Sequence, residues 1–245
     1  INVGAGTYAG PIVNNTAAGT LNLLSSVTFS NASVSNGNAT AVVKLNGFQI
    51  SLTGTTTLTN TGNFISATAS AVGSVMINIS GVVTTTGTGE LPNVTVASGG
   101  KLVLGANTAA YGDVTLNSAI SGAITDGGFN LSVYGAFNRI DNTPGNYTAT
   151  GTLTFASATA QTFTPGASLV LNNLTVNKAS SSVVTLTASV EVAGNLTITA
   201  GSLDVGNFYL NLSGASTFNN SGNSYSTTGV GYVVFKGASG TVTGT

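Results

Sequence analysis

Apolar residues come in short pairs separated by one position, as in Leu174/Val176, Val184/Leu186, Val190/Val192, Leu196/Ile198, Leu203/Val205 and Leu210/Leu212. A period of two kept over only a few residues predicts strands with one buried face. Between such pairs stand Asn36-Gly37, Asn46-Gly47, Asp126-Gly127 and Ser221-Gly222. These residue types accept the left-handed conformations that tight turns need. No segment keeps a helical period, so the chain is expected to be all β.

The pattern also repeats on a longer scale. Phe208-Tyr209-Leu210-Asn211-Leu212-Ser213-Gly214 has the form Phe, any, apolar, any, apolar, any, Gly, and so do Phe48 to Gly54 and Phe129 to Gly135. Gly73, Gly151 and Gly231 each precede an alternating strand: Val75-Met76-Ile77, Leu153-Thr154-Phe155 and Val233-Val234-Phe235. Leu91-Pro92-Asn93-Val94-Thr95-Val96 pairs with Leu171-Asn172-Asn173-Leu174-Thr175-Val176, and Tyr111 to Leu116 with Ala193 to Ile198. All these landmarks recur at nearly the same interval. The chain therefore divides into residues 1–72, 73–150, 151–230 and the opening of a further unit at 231–245, a tandem array of units of about 80 residues.

Three immunoglobulin-like domains in a line are the rival reading. Against them, the strands are too short for a sandwich core, and no Pro-rich or charged linker marks a boundary at 73 or 151. The expected fold is one continuous right-handed parallel β-helix over residues 1–245, three faces to a coil. With coils of roughly 20 to 27 residues it has about nine to twelve rungs at a strand spacing of about 4.8 Å. Phe48, Phe129 and Phe208 are expected in one inward column or at a packed corner.

Composition sharpens this picture. Only 4% of residues are charged, five Lys+Arg against six Asp+Glu for a net charge of −1, where soluble proteins carry roughly 25%. Stacked parallel rungs place each side chain over its equivalent, so a charge tends to face a like charge, whereas Asn, Ser and Thr pass hydrogen bonds along the stack. Five scattered cations make no basic face for nucleic acid or an anionic membrane. No run of about 20 apolar residues predicts a membrane span.

Candidate chemistry is sparse. Cys and His are absent, so no Ser-His-Asp triad, Cys-His pair or zinc cluster can be written and no cofactor is called for. The carboxylates are Glu90, Asp113, Asp126, Asp141, Glu191 and Asp204; a polysaccharide-acting β-helix enzyme would need two of them to converge. Asp126-Gly127-Gly128 and Asp141-Asn142 carry a hint of calcium chemistry, though turn roles suit them better. Gly99-Gly100-Lys101 lacks the glycine spacing of a phosphate loop. Thr55-Thr56-Thr57 and Thr84-Thr85-Thr86 suggest hydroxyl arrays of the ice-binding kind, and Tyr134, Tyr147, Tyr209 and Tyr232 are candidates for stacking on sugars. Asn-x-Ser/Thr sequons begin at Asn14, Asn31, Asn38, Asn78, Asn93, Asn130, Asn146, Asn173, Asn195, Asn211 and Asn219, candidate glycosylation sites on a secreted protein.

Leu171 to Val176, Val192 to Ile198 and Gly201 to Phe208 resemble the strand repeats of adhesin-like and filamentous-haemagglutinin-like regions of large secreted microbial surface proteins. The resemblance is strongest over 151–245 and weakest over 1–72. It implies a right-handed parallel β-helix, an extracellular or cell-surface location and a structural or adhesive role, and it carries over no catalytic residue. The last residues, Thr241 to Thr245, keep step with the repeat, so this end is expected to continue or to dock on another copy, end to end or laterally, in a fibre. Surface glycans are the other expected partner.

Overall fold

A computed structural model describes residues 1–14, 16–65, 77–179, 182–220, 229–237 and 239–244. Gly73, Val75, Met76 and the turn Ser221-Gly222 lie outside the described residues. The chain lays down strands in threes, one on each of three faces. Thr20–Leu23, Val27–Ser30 and Ser33–Asn36 make one turn; Val42–Lys44, Ile50–Thr53 and Thr55–Asn60 make the next. Among the described residues every strand pairing is parallel, and no helix occurs. The fold is a β-solenoid, as the sequence predicts, and the rival row of sandwiches is excluded.

The first face carries a four-stranded and then an eight-stranded sheet, the third a seven-stranded and then a four-stranded one. On the second face a single ten-stranded sheet runs from Gly6–Tyr8 to Ser202–Asp204 and crosses positions 73 and 151 without a break. Coil length varies more than expected. One coil carries the chain from Ile50 to Ile77, stacked directly upon it, and the next only from Ile77 to Val94.

In-register stacking builds columns. Inside the second face, Val27, Ile50, Ile77, Val94, Val114, Phe137 and Phe163 lie one over another, all buried. Each contributes about 1.5–3 kcal/mol of apolar burial. Outside the same face the column reads Thr7, Thr28, Ser51, Asn78, Thr95, Thr115, Asn138, Thr164. It contains no charge, and a charge there would sit about one strand spacing from its neighbours. The low charge of the whole chain follows.

The long repeat has an unexpected geometry. The strands Ile50–Thr53, Asn130–Val133 and Tyr209–Leu212, which follow Phe48, Phe129 and Phe208, are eleven described strands apart each time and lie on the second, first and third face respectively. Eleven is three full turns plus two faces, so each occurrence of the motif stands one face around the axis from the one before. The three Phe residues consequently share no column; each is a partly buried corner residue packed on the core. Each occurrence of the motif follows a four-residue turn, with the N–H of Phe48, Phe129 and Phe208 donating to the carbonyl of Leu45, Asp126 and Val205. At Asn46-Gly47 and Gly127-Gly128 both central residues have positive φ, the primed turn for which Asn-Gly and Gly-Gly are suited. A Cβ at Gly151 or Gly231 would overlap the carbonyl oxygen of Phe129 or Phe208 one rung below. The Phe and Gly landmarks of the repeat are therefore two sides of one contact between rungs.

Candidate functional site

Each of the three corners holds a polar seam inside the apolar core. Where the third face turns into the first, Asn14 Nδ2 donates to Asn36 Oδ1 at 3.0 Å, Asn36 Nδ2 to Asn60 Oδ1 at 3.2 Å, and Asn60 Nδ2 to the Glu90 carbonyl at 3.0 Å. All three amides are buried, and the ladder satisfies groups that would otherwise be costly. Where the second face meets the third, Ser118 Oγ donates to the Gly100 carbonyl and Asn146 Nδ2 to the Ser118 carbonyl. The same seam holds Arg139, 2% exposed. Its Nε donates to Asn146 Oδ1 at 2.7 Å, Nη2 to the Thr143 carbonyl at 2.7 Å, and Nη1 to the carbonyls of Pro165 and Ala167. Where the first face meets the second, Gln161 Nε2 donates to the carbonyls of Val133 and Gly135, and Lys178 Nζ to the Thr159 carbonyl and to Gln161 Oε1. In the sequence the cations look scattered, and no local pattern marks these two as interior.

The aspartates are used as turn caps. Asp113, Asp141 and Asp204 each accept a backbone N–H, from Ala136, Thr143 and Gly206. Asp126, fully buried, accepts at Oδ1 from the N–H groups of Gly128, Thr150 and Gly151 and from the Thr150 hydroxyl. A calcium ion needs oxygen lone pairs turned toward it, whereas four donors already crowd Asp126 Oδ1. At Asp141-Asn142 the nearby carbonyls of Thr143, Pro165 and Ala167 are held by the Arg139 guanidinium. Among the described residues no three metal-ligating side chains of the His, Cys, Asp and Glu types cluster. The Thr143 hydroxyl and N–H, with the Arg139 charge behind them, hold the Asp141 carboxyl below its ordinary range. Burial lowers the Arg139 guanidinium against the weaker pull of Asp141. Burial, with the Asp126 carboxylate second, pushes the Tyr147 phenol well up.

Lys178 carries a pH prediction. It is 1% exposed, and desolvation lowers its pKa from 10.5 to about 8. From pH 8 toward 10.5 the unfolded chain holds this proton while the folded chain has lost it, so the unfolding free energy rises with pH. Above pH 10 the raised Tyr147 phenol works the other way, because unfolding then releases its proton. Urea titrations should place maximum stability near pH 10, and Lys178→Met should flatten the rise between pH 8 and 10.

The sequons find a structural origin. On a strand, positions i and i+2 face the same way, so an outward Asn followed by an outward Ser or Thr spells Asn-x-Ser/Thr. On the first face Thr152, Asn173 and Asn195 form one outward column and Ser132, Thr154, Thr175, Thr197, Asn219 and Thr243 the next. The sequons at Asn130, Asn173 and Asn195 are rows of that ladder, with Asn173 Oδ1 accepting from the Asn195 N–H and Asn195 Oδ1 from the Thr217 N–H. Asn31 and Asn195 are exposed; Asn38, Asn78, Asn130, Asn173, Asn211 and Asn219 are half-buried. Asn14, Asn93 and Asn146 are buried, and a glycan on any of these three is incompatible with this packing.

Thr56 and Thr85 point inward, and the outward column Ser33, Thr57, Thr84 is interrupted by Val103 before resuming at Thr125 and Thr148. This face is not a continuous hydroxyl lattice. Tyr147, expected outside, is 5% exposed and packs against Phe137, because it occupies an inward strand position over Ile124. Tyr134 is half-buried against Tyr111, and Tyr209 and Tyr232 are exposed. No protein-family model, curated protein or solved structure matches the chain.

Proposed function

We propose that this chain is a structural rod of an extracellular or cell-surface assembly, wound right-handed like other parallel crossovers, whose copies join end to end into a fibre. One observation carries the reading: a solenoid with a packed interior and outward columns nearly free of charge, such as Thr28, Ser51, Asn78, Thr95, Thr115 and Asn138. Parallel stacks of this kind lengthen by adding further rungs. Val242, on a strand paired on one side, is 64% exposed.

Sedimentation and negative-stain electron microscopy of residues 1–245 test this. Filaments one rod wide with a subunit repeat of about 50 Å are expected, from ten to eleven rungs at about 4.8 Å. Val242→Lys, which puts a charge on the open edge, should shift the material to monomers. Monomers at every concentration would overturn the proposal.

A further inference from the structure

Some outward polar side chains on this rod bond to the rung above or below, as Thr154 does to Asn130 and Thr187 to Thr164. One patch of the third face is built differently. Val170, Glu191, Asn211 and Val234 form a single outward column, apolar, charged, amide and apolar, with no ladder between them. Glu191 Oε1 accepts from Ser213 Oγ at 2.5 Å. Among the described residues, Glu191 Oε2 and the Asn211 carboxamide make no hydrogen bond.

Beside this column a shallow groove opens over Leu169 and Val190, edged by Ser168, Ser189, Glu191 and Asn211. Next to it Tyr209 and Tyr232 are stacked in register, 42% and 54% exposed. The other outward pair is arranged differently. Tyr111 and Tyr134 lie nearly parallel, 12° apart at 4.2 Å, so each ring covers the other's face, and the Tyr111 hydroxyl is engaged by Glu90, which pushes that phenol up. Tyr209 and Tyr232 are tilted by 57° at 4.8 Å and touch through their hydroxyls, which raises the Tyr232 phenol. Tilted rings leave π-faces open to solvent.

An open aromatic face, an apolar floor and a few converging polar groups define a small-ligand site. We propose that this groove binds a neutral glycan. The C–H face of one pyranose lies on the Tyr232 and Tyr209 rings, and its hydroxyls donate to Glu191 Oε2 and exchange hydrogen bonds with the Asn211 amide. Glu191 is the one charged residue lining the groove, so uronates and sialosides are repelled. Asn211 also begins a sequon, and a glycan attached there would fill the groove.

The test uses residues 1–245 made in a host that does not glycosylate, with cellohexaose, laminarihexaose, chitohexaose and mannohexaose as probes. Saturation-transfer NMR should detect at least one. Tyr232→Ala and Glu191→Gln should each weaken that association about tenfold, the scale of one lost stacking or charged hydrogen-bond contact. Tyr232→Phe should retain it, and Tyr111→Ala should leave it unchanged. Absence of binding to all four probes overturns the proposal, as does binding untouched by Tyr232→Ala and Glu191→Gln; if Tyr232→Ala does not fold, Glu191→Gln decides. Filament formation is read separately on the same samples, so the failure of one proposal is distinguishable from the failure of the other.

Discussion

Arg139→Met is expected to lower the unfolding free energy by about 4 kcal/mol, because several buried acceptors lose their donor at a cost of about 1–3 kcal/mol each, partly recovered by water. The acceptors are Asn146 Oδ1 and the carbonyls of Thr143, Pro165 and Ala167. They belong to two successive rungs, so one guanidinium fastens a corner that the backbone ladder leaves open. Arg139→Lys should recover little, since an ammonium cannot span a fork of acceptors. Lys44→Met, at an exposed lysine, should change stability by less than about 0.5 kcal/mol. Urea unfolding followed by circular dichroism measures all three. An Arg139→Met protein as stable as the parent would show that the seam is dispensable.

Phe163→Ala is the second large effect, at about 3–5 kcal/mol for a fully buried aromatic whose cavity cannot collapse. Phe163 is 0% exposed. It meets Phe137 edge-on at 5.7 Å and Phe155 at 5.0 Å, so rings from the first and second faces close over the axis together. Aromatic pairs of this geometry add about 0.5–1.5 kcal/mol beyond area. Because each rung touches only its neighbours, the loss should be local. Hydrogen exchange should accelerate in the strands Phe137–Arg139, Gln161–Thr164 and Val183–Leu186 before it does at Val27–Ser30. Phe163→Leu should cost far less. Uniform acceleration along the rod would argue against nearest-neighbour stability.

The parallel solenoid was readable because its causes are local: period-two pairs such as Leu174/Val176, turn residues such as Asn46-Gly47, and a composition that avoids stacked charge. The face-by-face displacement of the repeat was not. A long coil from Ile50 to Ile77 is followed directly by a short one from Ile77 to Val94, so an even spacing of landmarks does not reveal how many strands lie between them. The interior seams were hidden for a different reason. Asn36 and Asn60 look like turn residues in one dimension, and Arg139 occupies an inward position in register with Leu116 that strand alternation would give to an apolar side chain. Sequons such as those at Asn130, Asn173 and Asn195 have a local cause, since an outward Asn/Thr ladder writes Asn-x-Ser/Thr wherever strands alternate. Tyr209 and Tyr232 are exposed while Tyr147 is buried, because alternation alone does not say which side of a two-residue strand faces the core.

Double electron–electron resonance on pairs of spin labels tests the stacking most directly. Thr28, Ser51, Asn78, Thr95, Thr115 and Asn138 occupy consecutive rungs of one outward column. Labels introduced by Thr28→Cys with Thr115→Cys, and by Thr28→Cys with Asn138→Cys, should lie about 19 Å and about 24 Å apart, one strand spacing of about 4.8 Å separating the two values. Distances that grow with sequence separation instead, beyond about 40 Å for the second pair against the extended reach of the chain, would contradict a rod built coil upon coil.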